Sequence, residues 1–220
     1  MHRFSRVSPS SHLLKMCPNK LDCKETVPQE QSRRRLEMPA GAMTEQRCRT
    51  PSIRDLENVL YLRNNTFSHV DEIVPNLYLG DSFVARHKHY LHSLGITHIL
   101  NAAHGQCGVN VKAGFYADIP ICYYGIKGID DPSFNLSVFF NSTANFIKEG
   151  LDSPQGKVLV HCAMGISRSS TLVIAFLMIH RRLSVMDAIK LVVEKRYIRP
   201  NNGFLAQLIQ LDKRLRQSRV

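Results

Sequence analysis

Cys162, Arg168 and Ser169 stand close together in the stretch VLVHCAMGISRSS, Val158 to Ser170, and their types and spacing suit chemistry on a phosphate. Cys162 follows the apolar run KVLV, which places a thiol at the carboxyl edge of a buried strand, where open α/β sheets bind ligands. Gly165 permits the sharp turn that carries Ala163–Arg168 into a helix. Successive N–H groups of such a turn converge, and the helix behind it adds its positive end, so the loop is expected to cradle an anion. Arg168 supplies a planar fork matching two phosphate oxygens; in the first turn of a helix a cation opposes the macrodipole unless an anion lies beside it. The same field favours the thiolate of Cys162, a nucleophile for phosphorus. Ala163, Met164, Gly165, Ile166, Ser167 and Arg168 are thus the expected substrate-binding set. The Ser169 hydroxyl is expected to hydrogen-bond the sulfur when it leaves. His161 is expected to hydrogen-bond the loop backbone and fix the turn.

The elements that must position this loop can be followed along the chain. PSIRDLENVLYL spaces Ile53, Leu56, Val59 and Leu60 along one helical face. IVPNLYLG reads as a strand, and DSFVARHKHYLHSLG as one helix begun by Asp81 and stopped by Gly95. THILNAA and CYYGI are short apolar strands suited to a sheet covered on both faces. After the polar loop KGIDDPSF come a helix over NLSVFFNSTANFIKEG, the strand KVLVHC and the very apolar helix SRSSTLVIAFLMIH. Two further helices follow, SVMDAIKLVVEKR with a capping arrangement of Ser184 and Asp187, and GFLAQLIQLDKRLR. Strands alternating with helices predict one α/β domain over residues 51–220.

HCAMGISRS matches the H-C-x-x-G-x-x-R-S/T signature of cysteine-dependent protein tyrosine phosphatases. Within that superfamily the chain resembles the atypical dual-specificity phosphatases over residues 51 to about 215, through NLYLGD, LGITHILNAAHG, FNLSVFF, VLVHCAMGISRSSTLVIAFLM and PNNGFLAQL. The resemblance implies a central, mostly parallel sheet of about five strands flanked by helices. It also implies hydrolysis of phosphotyrosine and phosphoserine or phosphothreonine through a phosphocysteine, with no metal or other cofactor. The departing oxygen needs a proton, which the family takes from an aspartate about 30 residues before the cysteine. Asp130 stands 32 residues before Cys162 and Asp131 stands 31 before it. The family pattern favours Asp130, with Asp131 as the adjacent alternative.

Substrate class is read from the loop's neutral positions, Ala163, Met164, Ile166 and Ser167. Relatives acting on phosphoinositides or RNA triphosphates often carry basic residues there, so phosphorylated proteins are the expected partners, with protein kinases left open as one class. Arg196 and Arg199 stand open between contact with a second phosphate or acidic flank and a solvent-facing helix end. Two other functions remain as alternatives: a phospho-dependent binding module or scaffold, and a phosphatase of a non-protein phosphate ester.

A net charge of +11 and a pI near 9.6 suit acidic partners, but the basic residues lack the aromatic interleaving of a single-strand groove, so no nucleic-acid partner is expected. No apolar run is long enough to span a bilayer, and no Walker A loop is present. The six cysteines, Cys17, Cys23, Cys48, Cys107, Cys122 and Cys162, form no zinc-site spacing and are expected to be reduced thiols, with Cys122 considered as a resolving partner for an oxidised Cys162. Residues 1–50 are basic, with little apolar periodicity, and are expected to form a disordered tail. The expected compartment is the cytoplasm, with the nucleus left open.

Overall fold

The computed structural model describes residues 50–61, 68–106, 109 and 111–218. The expected tail, apart from Thr50, and Cys17, Cys23, Cys48 and Cys107 lie outside the described residues.

Helix α1 (Ile53–Tyr61) opens on Ser52, whose Oγ accepts the Asp55 N–H while the Asp55 carboxylate accepts the Ser52 N–H, a reciprocal cap. The stretch read as one strand, IVPNLYLG, is instead a hairpin of β1 (Val70–Val74) and β2 (Leu77–Gly80), antiparallel to each other. Pro75 cannot donate to a ladder, and Asn76 takes a left-handed φ of 68°, so the chain reverses there. The single helix expected next is two, α2 (Ser82–Arg86) and α3 (Lys88–Leu94). His87 breaks it at φ −94°, ψ 81°, and its Nδ1 lies 2.7 Å from the Phe83 carbonyl freed at the end of α2. Asp81 caps α2 and Gly95 ends α3 in a left-handed conformation, as expected.

Strands β3 (His98–Asn101), β4 (Cys122–Gly125) and β5 (Val158–His161) complete a sheet of order β1-β2-β5-β3-β4, parallel throughout except at β1. This is the mostly parallel, five-stranded sheet of an α/β domain that the family resemblance implied. A 3-10 turn, Leu136–Phe139, precedes α4 (Phe140–Asp152) where one continuous helix was expected. Helices α5 (Arg168–His180), α6 (Val185–Lys195) and α7 (Asn202–Gln217) follow.

Side chains alternate across the strands into two apolar layers. Val158, Val160, Leu100 and Tyr124 enter the larger layer with α4–α7, whereas Leu159, Ile99 and Tyr123 enter the smaller one with α2 and α3. Helix α5 is apolar nearly all round because it is enclosed, with every residue from Arg168 to Met178 buried.

The register aligns the strand ends. Gly80 and Asn101 both lie opposite His161, and Asn101 lies opposite Gly125, so the loops after β2, β3, β4 and β5 leave the same edge of the sheet. The loop after β4 carries Asp130 and the loop after β5 carries Cys162, which is how two residues distant in sequence come to share one site.

Candidate active site

Each carbonyl of the loop from Cys162 to Ser167 is tied away from its concave side. His161 Nδ1 lies 3.1 Å from the Cys162 carbonyl. The Ala163 carbonyl accepts the Ser82 N–H at the start of α2. Buried Arg196 donates Nη2 to the Met164 carbonyl and Nε to that of Gly165. The Ile166 carbonyl accepts the Arg199 N–H, and the Ser167 carbonyl accepts the Thr171 N–H at the first turn of α5. In a trans peptide N–H and C=O point in opposite directions, so binding the carbonyls outward turns the amides inward. Gly165 sits at φ 70°, and a Cβ there would come within 2.4 Å of the Gly80 carbonyl oxygen, so both the turn and the close approach demand glycine.

Cys162 Sγ lies at the base of this cup, accepting hydrogen bonds from the Gly165 N–H and the Ser169 hydroxyl, both at 3.2 Å. Two donors aimed at one sulfur stabilise negative charge on it. Ser167 precedes α5 but makes no side-chain cap; its hydroxyl donates instead to Asp130 Oδ1 at 2.7 Å, leaving the first N–H groups of α5 without a side-chain acceptor from that residue. Asn201, the N-cap of α7, donates Nδ2 to the same oxygen at 3.0 Å. Arg168 donates Nη1 to the Gly128 carbonyl, and its Nε makes an ion contact of 3.5 Å with Asp130 Oδ2. The open pocket above the sulfur, about 290 Å³, is lined by Cys162, Ala163, Met164, Ile166, Ser167, Arg168, Asp130, Arg199 and Asn201.

Asp130 therefore joins the pocket. Asp131 points elsewhere, capping its own turn: its carboxylate accepts both the hydroxyl and the N–H of Ser133, which hold it below the usual carboxylate range. Asn201 was not singled out from the sequence, because its contact spans 71 positions and its only local signal is that of a helix cap. Arg196 is corrected: it is 3% exposed, its Nη1 is 2.7 Å from Asp71 Oδ2 and donates to the Ser68 carbonyl, and it braces the loop from behind instead of facing the pocket. Cys122 is corrected as well. It is disulfide-bonded, whereas Cys162 is a free thiol, so Cys122 is neither reduced nor available to resolve Cys162. Among the described residues no cluster of His, Cys, Asp and Glu could hold a metal, and no helix is long and apolar enough to cross a membrane.

The chain that carries this cup of backbone amides, with Cys162 at its base and Arg168 and Asp130 beside it, is similar to known proteins. The family model for the dual specificity phosphatase catalytic domain matches residues 77–214. The chain belongs to that family. This phosphatase is 47% identical over 178 residues to dual specificity protein phosphatase 13B of Mus musculus, covering 80% of this chain and 90% of the relative. It is 46% identical over 166 residues to dual specificity protein phosphatase 26 of Bos taurus, covering 76% and 78%. Among solved structures, human DUSP28 superposes with a TM-score of 0.61 at 26% identity, covering 70% of this chain and 99% of that one. Family and relatives together make the chain a dual-specificity protein phosphatase.

His161 gives the phosphatase a pH dependence of stability. Burial lowers its imidazole from 6.5 to about 4, against opposing pulls from the Cys162 carbonyl and Asp81. Because a carbonyl oxygen only accepts, the neutral ring donates Nδ1–H to that of Cys162. The unfolded chain takes up this proton first as pH falls, so stability present above about 6.5 is lost progressively towards about 4. The unfolding free energy at pH 5 should be about 2 kcal/mol below that at pH 7 from this group. Urea denaturation at both pH values checks it, and His161→Gln should lack that share of the difference.

Proposed function

We propose that the phosphatase hydrolyses phosphotyrosine and phosphoserine or phosphothreonine in proteins through a phosphocysteine. The amides of Ala163–Arg168 and the Arg168 guanidinium hold the phosphate, and Cys162 Sγ attacks phosphorus opposite the ester oxygen. The P–O bond breaks as the P–S bond forms, and Asp130 gives its proton to the departing hydroxyl. Water then attacks phosphorus, Asp130 takes a proton from it, and the P–S bond breaks to return the thiolate, whose charge the Ser169 hydroxyl stabilises. Donors fixed before the reaction stabilise charge on the equatorial oxygens without reorganising.

The observation that carries this reading is the outward binding of the loop carbonyls, which leaves the amides aimed at the space above Sγ. Arg168 and Asp130 reach that space from two other elements. The neutral side chains of Ala163, Met164 and Ile166 support a protein substrate. The test is phosphate release from a phosphotyrosine and a phosphothreonine peptide in the presence of chelator, with inhibition by vanadate, which imitates five-coordinate phosphorus. Release from both is expected; release from neither, by folded protein, would reject the reading.

A further inference from the structure

Arg199 lies on the wall of the pocket but belongs to none of the steps above. Its backbone is tied to the loop through the hydrogen bond to the Ile166 carbonyl, and its guanidinium carbon lies 3.7 Å from the centre of the Tyr61 ring. Tyr197 stands further off, at 5.6 Å. Stacking on an aromatic face holds a guanidinium in place without neutralising it. Among the described residues no carboxylate pairs with Arg199, and its Nε is buried without a hydrogen-bond partner. Asp130, the acid lining the same pocket, is engaged by Arg168, Ser167 and Asn201. Arg199 is thus an uncompensated cation, fixed beside a phosphate cup that Arg168 already serves. Tyr61 comes from α1, ahead of the segment that the family model matches, so this clamp is built partly from outside the matched catalytic domain.

We propose that Arg199, held by Tyr61, is a second anion receptor that selects phosphoproteins carrying a carboxylate or a second phosphate close to the residue being hydrolysed. The proposal rests on the phosphatase reading above. Because Arg199 lines the same pocket as the phosphate loop, the second anion should lie within a few positions of the residue being hydrolysed. A guanidinium offers its edge to either anion bidentately while its face stays on the ring.

The test uses the full chain and a set of phosphotyrosine peptides in which each of the two positions on either side carries Asn, Glu or phosphothreonine. At one position or more, kcat/KM for the anionic flank should exceed that for Asn by about threefold to tenfold at low salt, the range of a partly exposed charge pair with good geometry. The preference should shrink as salt rises. In Arg199→Ala the ratio should fall to about one, and Arg199→Lys should keep part of it. Tyr61→Phe should retain the preference and Tyr61→Leu should weaken it, which separates clamping from a general effect on folding. Glu and phosphothreonine distinguish the two sources of the anion, and a preference for either supports the receptor. A wild-type ratio of one at every position, or a ratio that survives Arg199→Ala, overturns it while leaving phosphatase activity intact. Failure to hydrolyse any of the peptides would instead remove the underlying phosphatase reading, and this proposal with it.

Discussion

Cys162→Ser is expected to lower kcat by about 10⁴-fold or more on every phosphorylated substrate, because it removes the nucleophile proposed above while leaving the anion cup standing. The sulfur is fully buried, and its two donors, the Gly165 N–H and the Ser169 hydroxyl, can reach a serine oxygen with small shifts. A serine hydroxyl does not ionise near neutral pH, and among the described residues no histidine hydrogen-bonds the atom at this position; the His161 ring is turned to the Cys162 carbonyl. The carbonyl tethers that orient the loop involve Ser82, Arg196, Arg199 and Thr171, none of which the substitution touches. The variant should therefore unfold at a denaturant concentration close to that of wild type and still bind a phosphotyrosine peptide. Steady-state phosphate release and calorimetric titration with that peptide check the two halves. Residual turnover within tenfold of wild type would remove Cys162 from its role.

The loop was legible in the sequence because its determinants are local. An apolar strand, a glycine at the turn and an arginine at the head of an apolar helix each leave a signal within a few positions. An α/β domain was legible for the same reason, since strands alternated with helices at short range, whereas the mostly parallel five-stranded sheet was implied by the family resemblance. What was not legible depends on partners far away in the chain. The role of Arg196 is set by Asp71 and by the Ser68 carbonyl, more than a hundred positions earlier, and nothing near Arg196 announces them. As a residue at a helix end it looked solvent-facing or ligand-facing, whereas the fold buries it behind the loop. The hairpin at Pro75–Asn76 was missed for a different reason: its strands are so short that the turn residues were absorbed into one apolar run. The break at His87 has no glycine or proline to mark it and is made by a side-chain contact to the Phe83 carbonyl.

The choice between Asp130 and Asp131 could not be made from composition, and their substitution should separate them sharply. Asp130→Asn keeps an amide oxygen able to accept from Ser167 and Asn201, so the loop after β4 should stay in place while the transferable proton is lost. On phosphotyrosine and phosphothreonine peptides kcat should fall by about 10²- to 10⁴-fold, the usual span for a missing general acid. The loss should be largest for phosphothreonine, whose alkoxide is the poorest leaving group, and smallest for para-nitrophenyl phosphate, whose phenolate leaves without a proton. With that last substrate the first step should still proceed, but the water attacking the phosphocysteine would lack a base. The variant should then release a burst of one equivalent of nitrophenol and slow afterwards, which stopped-flow absorbance would read directly. Asp131→Asn, altering an exposed carboxylate that caps its own turn through Ser133, should stay within about threefold of wild type on all three substrates. If Asp131→Asn produced the leaving-group-dependent loss and Asp130→Asn did not, the acid would have been assigned to the wrong carboxylate. Equal losses in the rate of the first step on all three substrates would instead give Asp130 a structural role, holding Arg168, Ser167 and Asn201 in position around the pocket.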